Sequence, residues 1–231
     1  MEQTVVQNLP RIGEVLSVSV KAMRANFGVY MKVILPYFAV TLLQYILQTF
    51  WDNQAISVLL SIVLTVIGIW MTILLTRVSY QAVTGGQVDF AAAQKGWGTV
   101  VVPMIVVGGL TAFITMIGLV FLIVPGIILG LMYFSATYLV VVDNKKIGES
   151  LSQSIQLSKG RKWDLFVRLF VSYIVVGIPA AIAGAILVGL LMVLGNLYSE
   201  GLSQLLAMVG ILLVMLPVLP VMTNVETYLF H

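Results

Sequence analysis

Six long apolar stretches divide the sequence, and short hydrophilic segments separate them. None of the six alternates between polar and apolar residues, as the strands of a membrane-spanning barrel do. Since backbone groups in hydrocarbon must find their hydrogen bonds within the protein, these stretches predict helices. The predicted spans are residues 33–50, 56–75 with a continuation toward 83, 99–124, 127–142, 165–194 and 205–230.

The polar segments arrange the six spans as three hairpins, each preceded by a surface helix. Residues 11–27 carry apolar side chains at helical spacing, with Glu14, Ser17, Lys21 and Arg24 on the opposite side. Such a helix is typical of the headgroup layer. Two further interfacial helices are predicted at 88–97, where Asp89 caps the start, and at 146–162. The apolar stripe of the first helix is Ile12, Leu16, Val20, Met23 and Phe27.

The fold class that follows is an all-α integral membrane protein with six transmembrane helices as three hairpins, and amphipathic interfacial helices before spans 1, 3 and 5. Pro125 and Gly126 separate spans 3 and 4, because proline removes a backbone donor and glycine accepts turn geometry. The fifth span is longer than a bilayer requires. We therefore expect it to tilt, or to kink at Pro179.

An internal repeat links the first and third surface helices. Residues 11–20 and 146–155 are identical at six of ten aligned positions. We interpret the match as a duplication whose copies point the same way, because an even number of spans separates them. The chain is then one membrane domain, 1–231, built of units at about 11–83, 88–142 and 146–230. The identical pairs are Ile12/Ile147, Gly13/Gly148, Glu14/Glu149, Leu16/Leu151, Ser17/Ser152 and Ser19/Ser154.

All 12 basic residues fall in alternate segments between the spans. The intervening hydrophilic segments carry only Asp52 and Glu200. This segregation is what the positive-inside rule predicts for a multi-pass protein of the bacterial inner membrane with its basic segments and both termini in the cytoplasm. The basic residues are Arg11, Lys21, Arg24, Lys32, Arg77, Lys95, Lys145, Lys146, Lys159, Arg161, Lys162 and Arg168.

Composition argues against an enzyme. Hydrophobic residues make up 60% of the chain and charged residues 9%, against about 25% charged in soluble domains, so no soluble catalytic domain fits. There is no cysteine, and the one histidine is His231. We therefore expect no thiol nucleophile, imidazole base or metal site, and no cofactor. The net charge of +3 reflects membrane anchoring and does not require a nucleic-acid partner.

Residues 124–170 carry a recognisable pattern: a Pro125-Gly126-Ile127 turn, a short span ending at Asp143, and a surface helix with Ser154, Leu157, Ser158 and Gly160. In this pattern the chain resembles a family of bacterial inner-membrane proteins related to the membrane domain attached to some glycerophosphodiester phosphodiesterases. The resemblance implies a six-helix fold. The phosphodiesterase barrel is absent from this sequence, so its activity is not implied.

Juxtamembrane cations are the best functional candidates. Lys159, Arg161, Lys162 and Arg168 follow one copy of the repeat. With the cations of the other copy they form a predicted rim for lipid phosphates. Simple topological anchoring is the alternative. The cations of the other copy are Lys21, Arg24 and Lys32.

Three other intramembrane features carry predictions. Arg77 and Glu226 end spans on the same side and are predicted to form an ion pair, as a structural clamp or as a gate. Thr41, Gln44 and Gln48 share one face of span 1 and mark a helix contact or a polar cavity. A small-residue groove on span 5 suits close helix packing, within the chain or with another subunit. Its residues are Gly177, Ala181, Ala185 and Gly189.

These observations favour a non-enzymatic membrane component: a lipid-interacting scaffold, or an accessory subunit of a membrane complex. The expected partners are anionic phospholipids, with a membrane-protein partner or a second copy of the chain. The alternative is a small transporter or lipid-translocating protein that uses the polar face of span 1.

Overall fold

The computed structural model describes residues 10–50 and 53–230, so the predictions for Asp52 and His231 lie outside the described residues. Within that part of the chain every regular element is an α-helix. Six helical segments are long and apolar enough to cross a membrane, and they coincide with the six predicted spans. The helices are α1 Ile12–Ala25, α2 Phe27–Phe50, α3 Gln54–Thr84, α4 Phe90–Gln94, α5 Trp97–Phe121, α6 Ile123–Tyr133, α7 Ala136–Asp143, α8 Ile147–Ser158, α9 Lys162–Asn196 and α10 Glu200–Phe230.

The second and fifth spans both run beyond their predicted bounds. Helix α3 runs on to Thr84, which confirms the continuation beyond 75. Helix α9 has 35 residues and includes Pro179 without ending there. At 1.5 Å per residue it is about 52 Å long, well beyond the roughly 30 Å of hydrocarbon in a bilayer. Because its first turn carries Lys162 and Asp164, we expect that turn to be the part that lies outside the apolar layer.

The turn between spans 3 and 4 lies three residues earlier than predicted. Leu122 has extended backbone, and α6 begins at Ile123. Pro125 thus sits in the first turn of α6, where its missing N–H needs no partner. Gly126 serves close packing instead of the turn. A Cβ on it would lie 2.5 Å from Leu119 Cγ of α5.

The fourth span is two helices. Helix α6 ends at Tyr133 and α7 begins at Ala136, with the break at Phe134 and Ser135. The mostly apolar sequence of 127–142 predicted a single continuous span, although Ser135 lies at the observed break. A break inside a span frees backbone carbonyls that must find other donors.

The three hairpins, α2/α3, α5/α6–α7 and α9/α10, contact one another, and the surface helices pack in a cyclic order. Helix α4 packs on α3, α8 packs on α6 and α7, and α1 packs on α10. Helices α4 and α8 therefore each dock on the second span of the preceding hairpin. Helix α1 completes the cycle by docking on the second span of the third hairpin.

The core lies toward the end of the bundle that carries α1, α4 and α8, which we call the basic face. Tyr30, Ile34, Ile73, Leu74 and Val140 are almost wholly buried there. Helix α9, by contrast, has none of its most apolar window buried inside the protein. Large apolar side chains on it face outward, as expected of a surface that contacts lipid tails.

Candidate functional site

The basic face is held together by contacts between the segments that enter and leave the hairpins. Asn26 lies between α1 and α2, and its Nδ2 donates to the carbonyl of Ala22 at 3.1 Å and to that of Gly86 at 3.2 Å. The joint between α1 and α2 is therefore fixed to the turn that follows α3. The predicted cap of the second surface helix is confirmed, since Asp89 Oδ1 accepts from the N–H groups of Ala91 and Ala92, the second and third residues of α4.

Helix α1 differs from its predicted orientation. Its buried face is Val15, Ser19 and Ala22, whereas the predicted apolar stripe of Ile12 and Leu16 is only half-buried. The buried side packs against α10, and small side chains there allow the two helices to approach closely. The polar side remains exposed as predicted.

The seven candidate lipid-binding cations lie in two groups on the basic face. Lys159, Arg161 and Lys162 surround the turn between α8 and α9, where Gly160 has a φ of +79°. Arg168 lies further along α9; its Nε donates to Pro10 O at 2.9 Å, and its Nη1 lies 3.8 Å from an Asp164 carboxylate oxygen. Arg168 thus fixes Pro10, two residues before α1, a positioning role that its charge alone did not predict.

The second cationic group is Lys21, Arg24 and Lys32, all exposed on α1 and the first turns of α2. Lys21 lies 11 residues beyond Pro10, the residue bound by Arg168, which is about 16 Å along a helix. Arg168 and Lys21 therefore lie toward opposite ends of α1. The single rim for lipid phosphates stays a prediction.

A groove opens beside the first cationic group. It has a volume of about 410 Å³ and lies between α6 and the turn joining α8 to α9. One part of its wall is apolar and the other carries charge and exposed backbone. The lining residues are Ile128, Leu131, Gly160, Lys162, Trp163 and Asp164.

Serines of α8 satisfy the carbonyls freed by the break in the fourth span. Ser154 Oγ donates to Met132 O at 2.7 Å and lies 2.9 Å from Ser135 Oγ. Ser158 Oγ donates to Leu131 O at 3.0 Å. Both serines are completely buried. They belong to the family-like pattern noted in the sequence, and their role here is to seat α8 on the broken span.

The predicted ion pair between Arg77 and Glu226 is not formed, because each side chain has other partners. Arg77 donates to three carbonyls: Val141 O at 3.0 Å, Ala93 O at 3.1 Å and Lys95 O at 2.8 Å. These carbonyls lie at the C-terminal ends of α7 and α4, where a cation offsets the helix dipole. Arg77 is still a clamp, but it joins the two ends of the second hairpin.

Glu226 bonds to the Tyr173 hydroxyl, which links α10 to α9. Two residues further along α10, the Tyr228 hydroxyl donates to Glu14 Oε1 of α1 at 3.2 Å. Two carboxylates on the basic face are thus held by tyrosines, and neither is paired with a cation of the described chain. Tyrosine suits this depth because its ring is apolar and its hydroxyl polar.

A buried polar network joins the first hairpin to the last span. Tyr30 OH donates to Asn224 Oδ1 at 2.6 Å, and Asn224 Nδ2 donates to Ser19 O at 3.0 Å. Ser79 Oγ lies 3.4 Å from the same tyrosine hydroxyl. All four residues are fully buried. No sequence pattern predicts this network. An asparagine within an apolar span indicates only that its side chain needs a polar partner.

The polar face of span 1 makes helix contacts. Gln44 Nε2 donates to Ser61 Oγ of α3 at 3.2 Å, and Thr41 Oγ1 donates to Tyr37 O of its own helix at 2.8 Å. Gln48 is exposed. The hydrogen bond from Gln44 to Ser61 favours a helix contact over a polar cavity.

The small-residue groove of α9 is partly used within the chain. A Cβ added at the neighbouring Gly184 would lie 3.6 Å from Val214 Cγ1 of α10, which is an ordinary contact. A Cβ added at Gly177 or Gly189 would have no atom within 4 Å. Ala181 and Ala185 line an apolar groove of about 370 Å³ between α9 and α10. The stripe therefore borders the α10 contact and also faces outward.

Within residues 10–50 and 53–230, no three His, Cys, Asp or Glu side chains come together as metal ligands would. Comparisons with protein-family models, with curated proteins and with solved structures gave no match. The function is therefore inferred from the residues of the basic face.

Proposed function

We propose that this multi-pass membrane protein is a non-enzymatic, lipid-interacting scaffold or accessory subunit that seats its basic face in the anionic headgroup layer. Its setting would be the bacterial inner membrane, with both termini and the basic face in the cytoplasm. The segregation of all 12 basic residues supports this orientation under the positive-inside rule.

The observation that carries the proposal is the exposure of the cations. Lys21, Arg24, Lys32 and Lys159 are exposed, and none of them forms an ion pair with a described residue. A cation near an anionic leaflet contributes about 1 kcal/mol to binding. Helices α1 and α8, which carry Lys21 and Arg24 and end beside Lys159, are fixed to the spans by buried hydrogen bonds, so these cations keep a set geometry against the bilayer.

The test is lipid enrichment in polymer-extracted native nanodiscs, measured as phosphatidylglycerol and cardiolipin relative to the bulk membrane. Changing Lys21, Arg24 and Lys32 together to Gln removes three charges, and we expect the enrichment to fall at least about tenfold. The matched control exchanges Lys and Arg at the same three positions, which keeps the charge and should keep the enrichment.

Two results would contradict the proposal. One is wild-type protein with the lipid composition of the bulk membrane. The other is solute or lipid flux in proteoliposomes that depends on Gln44, which would favour the transporter. Gentle extraction followed by native mass spectrometry would also report whether a second copy or another membrane protein accompanies the chain.

A further inference from the structure

The groove beside the α8–α9 turn has the polarity of a phospholipid. Lys162 and the backbone of Gly160 line one part, and Ile128 and Leu131 of α6 line another. Trp163 lies between them and is 60% exposed, as an aromatic side chain at the headgroup level often is. A ligand that fills this groove needs an anionic group next to an apolar chain.

The position of the groove identifies which molecule supplies that chemistry. Helix α6 is part of the fourth membrane span, so its Ile128 and Leu131 belong to the apolar layer. Lys162 begins α9, which extends past that layer, and Lys159 and Arg161 lie beside it. A free phosphate would use the polar part alone and leave the apolar wall exposed. A bilayer phospholipid covers both.

The one acidic residue lining the groove is partly offset. The Asp164 carboxylate lies 3.8 Å from Arg168 Nη1, and Arg168 is itself fixed by Pro10 O. The balance of charge around the turn is positive, with Lys159, Arg161 and Lys162 against Asp164. This balance favours an anionic headgroup over a zwitterionic one.

We propose that this groove is a specific site for one anionic phospholipid, with its phosphate at Lys162 and Gly160 and an acyl chain along Ile128 and Leu131. The proposal rests on the proposed function and adds to it a single defined site. Bound lipid would bridge α6, the α8–α9 turn and α9, next to the serines that seat α8 on the broken span.

The experiment is native mass spectrometry of protein reconstituted in phosphatidylcholine nanodiscs that contain phosphatidylglycerol as a minor component. Wild-type protein should retain one phosphatidylglycerol far above its share of the bilayer. Lys162→Gln should lower its occupancy about fivefold, as expected for one near-surface charge. Ile128→Trp should lower it by filling the apolar part, and Asp164→Asn should raise it. The control Lys146→Gln, an exposed lysine outside the groove, should leave it unchanged.

The outcomes separate this proposal from the broader one. Enrichment that survives both Lys162→Gln and Ile128→Trp, in proteins with unchanged melting temperature, overturns the groove site and leaves the proposed function standing. Absence of any preference for phosphatidylglycerol in the wild type overturns both. Wild-type protein that retains inorganic phosphate but no phosphatidylglycerol would assign the site to a free anion and refute the lipid proposal.

Discussion

Replacing Asn224 by Leu should destabilise the protein through the buried network at the basic face. The change removes the acceptor of Tyr30 OH, at 2.6 Å, and the donor to Ser19 O, at 3.0 Å. The tyrosine hydroxyl then retains only Ser79 Oγ, at 3.4 Å. A buried donor without a good partner costs about 1–3 kcal/mol, and each lost hydrogen bond about 1 kcal/mol, so we expect a loss of roughly 2–4 kcal/mol.

A double-mutant cycle with Tyr30→Phe isolates the hydrogen bond between the two side chains. Tyr30→Phe alone should cost about 1–2 kcal/mol, because it leaves Asn224 Oδ1 without its donor. The two changes together should cost less than their sum, by about 0.6–1.7 kcal/mol for a bond within a membrane protein. The free energy of unfolding would be measured by reversible denaturation in mixed micelles.

The matched control is Thr223→Val, one residue away on the same helix. Its hydroxyl bonds to Leu219 O of its own helix, so its loss should have a small effect. Additive costs for Tyr30→Phe and Asn224→Leu would refute the reasoning, as would a control as damaging as Asn224→Leu. Either result would mean that the network does not act as a unit.

Three further predictions concern other parts of the bundle. Gly126→Ala should cost about 1–3 kcal/mol because its Cβ meets α5 at 2.5 Å, whereas Gly177→Ala, which faces open space, should be neutral in the same unfolding assay. Arg77→Lys should lower the melting temperature, since an ammonium cannot reproduce the guanidinium's bonds to three carbonyls at the ends of two helices. In the cysteine-free chain, Glu200→Cys should react with an impermeant thiol reagent from outside the cell and Lys95→Cys should not; the reverse labelling would invert the orientation.

The spans and surface helices were readable from the sequence because their signals are local. A run of about 20 apolar residues predicts a span without knowledge of its neighbours. The amphipathic pattern of 11–27 and the Asp89 cap are likewise contained within a few turns. The bounds observed for α1 and α3 follow those signals closely, whereas α4 has five residues where the prediction was 88–97.

What the sequence did not reveal depends on contacts between distant elements. Tyr30 and Asn224 are 194 positions apart, and neither residue indicates the other. The ion pair of Arg77 with Glu226 was predicted from their opposite charges. Carbonyls at helix ends compete for the guanidinium, and the sequence does not show which carbonyls will lie close to it. The break at Ser135 was hidden for the same reason, since its carbonyls are satisfied by serines of another helix.

The cyclic order of the surface helices has a consequence for biosynthesis. Helix α1 is translated before the six spans described here, yet the surface it docks on belongs to α10, which is translated after the other five. Translation proceeds at some 5–20 residues per second, and until α10 is made Val15 and Ser19 lack the helix against which they are buried. Docking of α1 therefore follows the synthesis of α10. A ribosome that stalls before α10 leaves a nascent chain with α1 undocked.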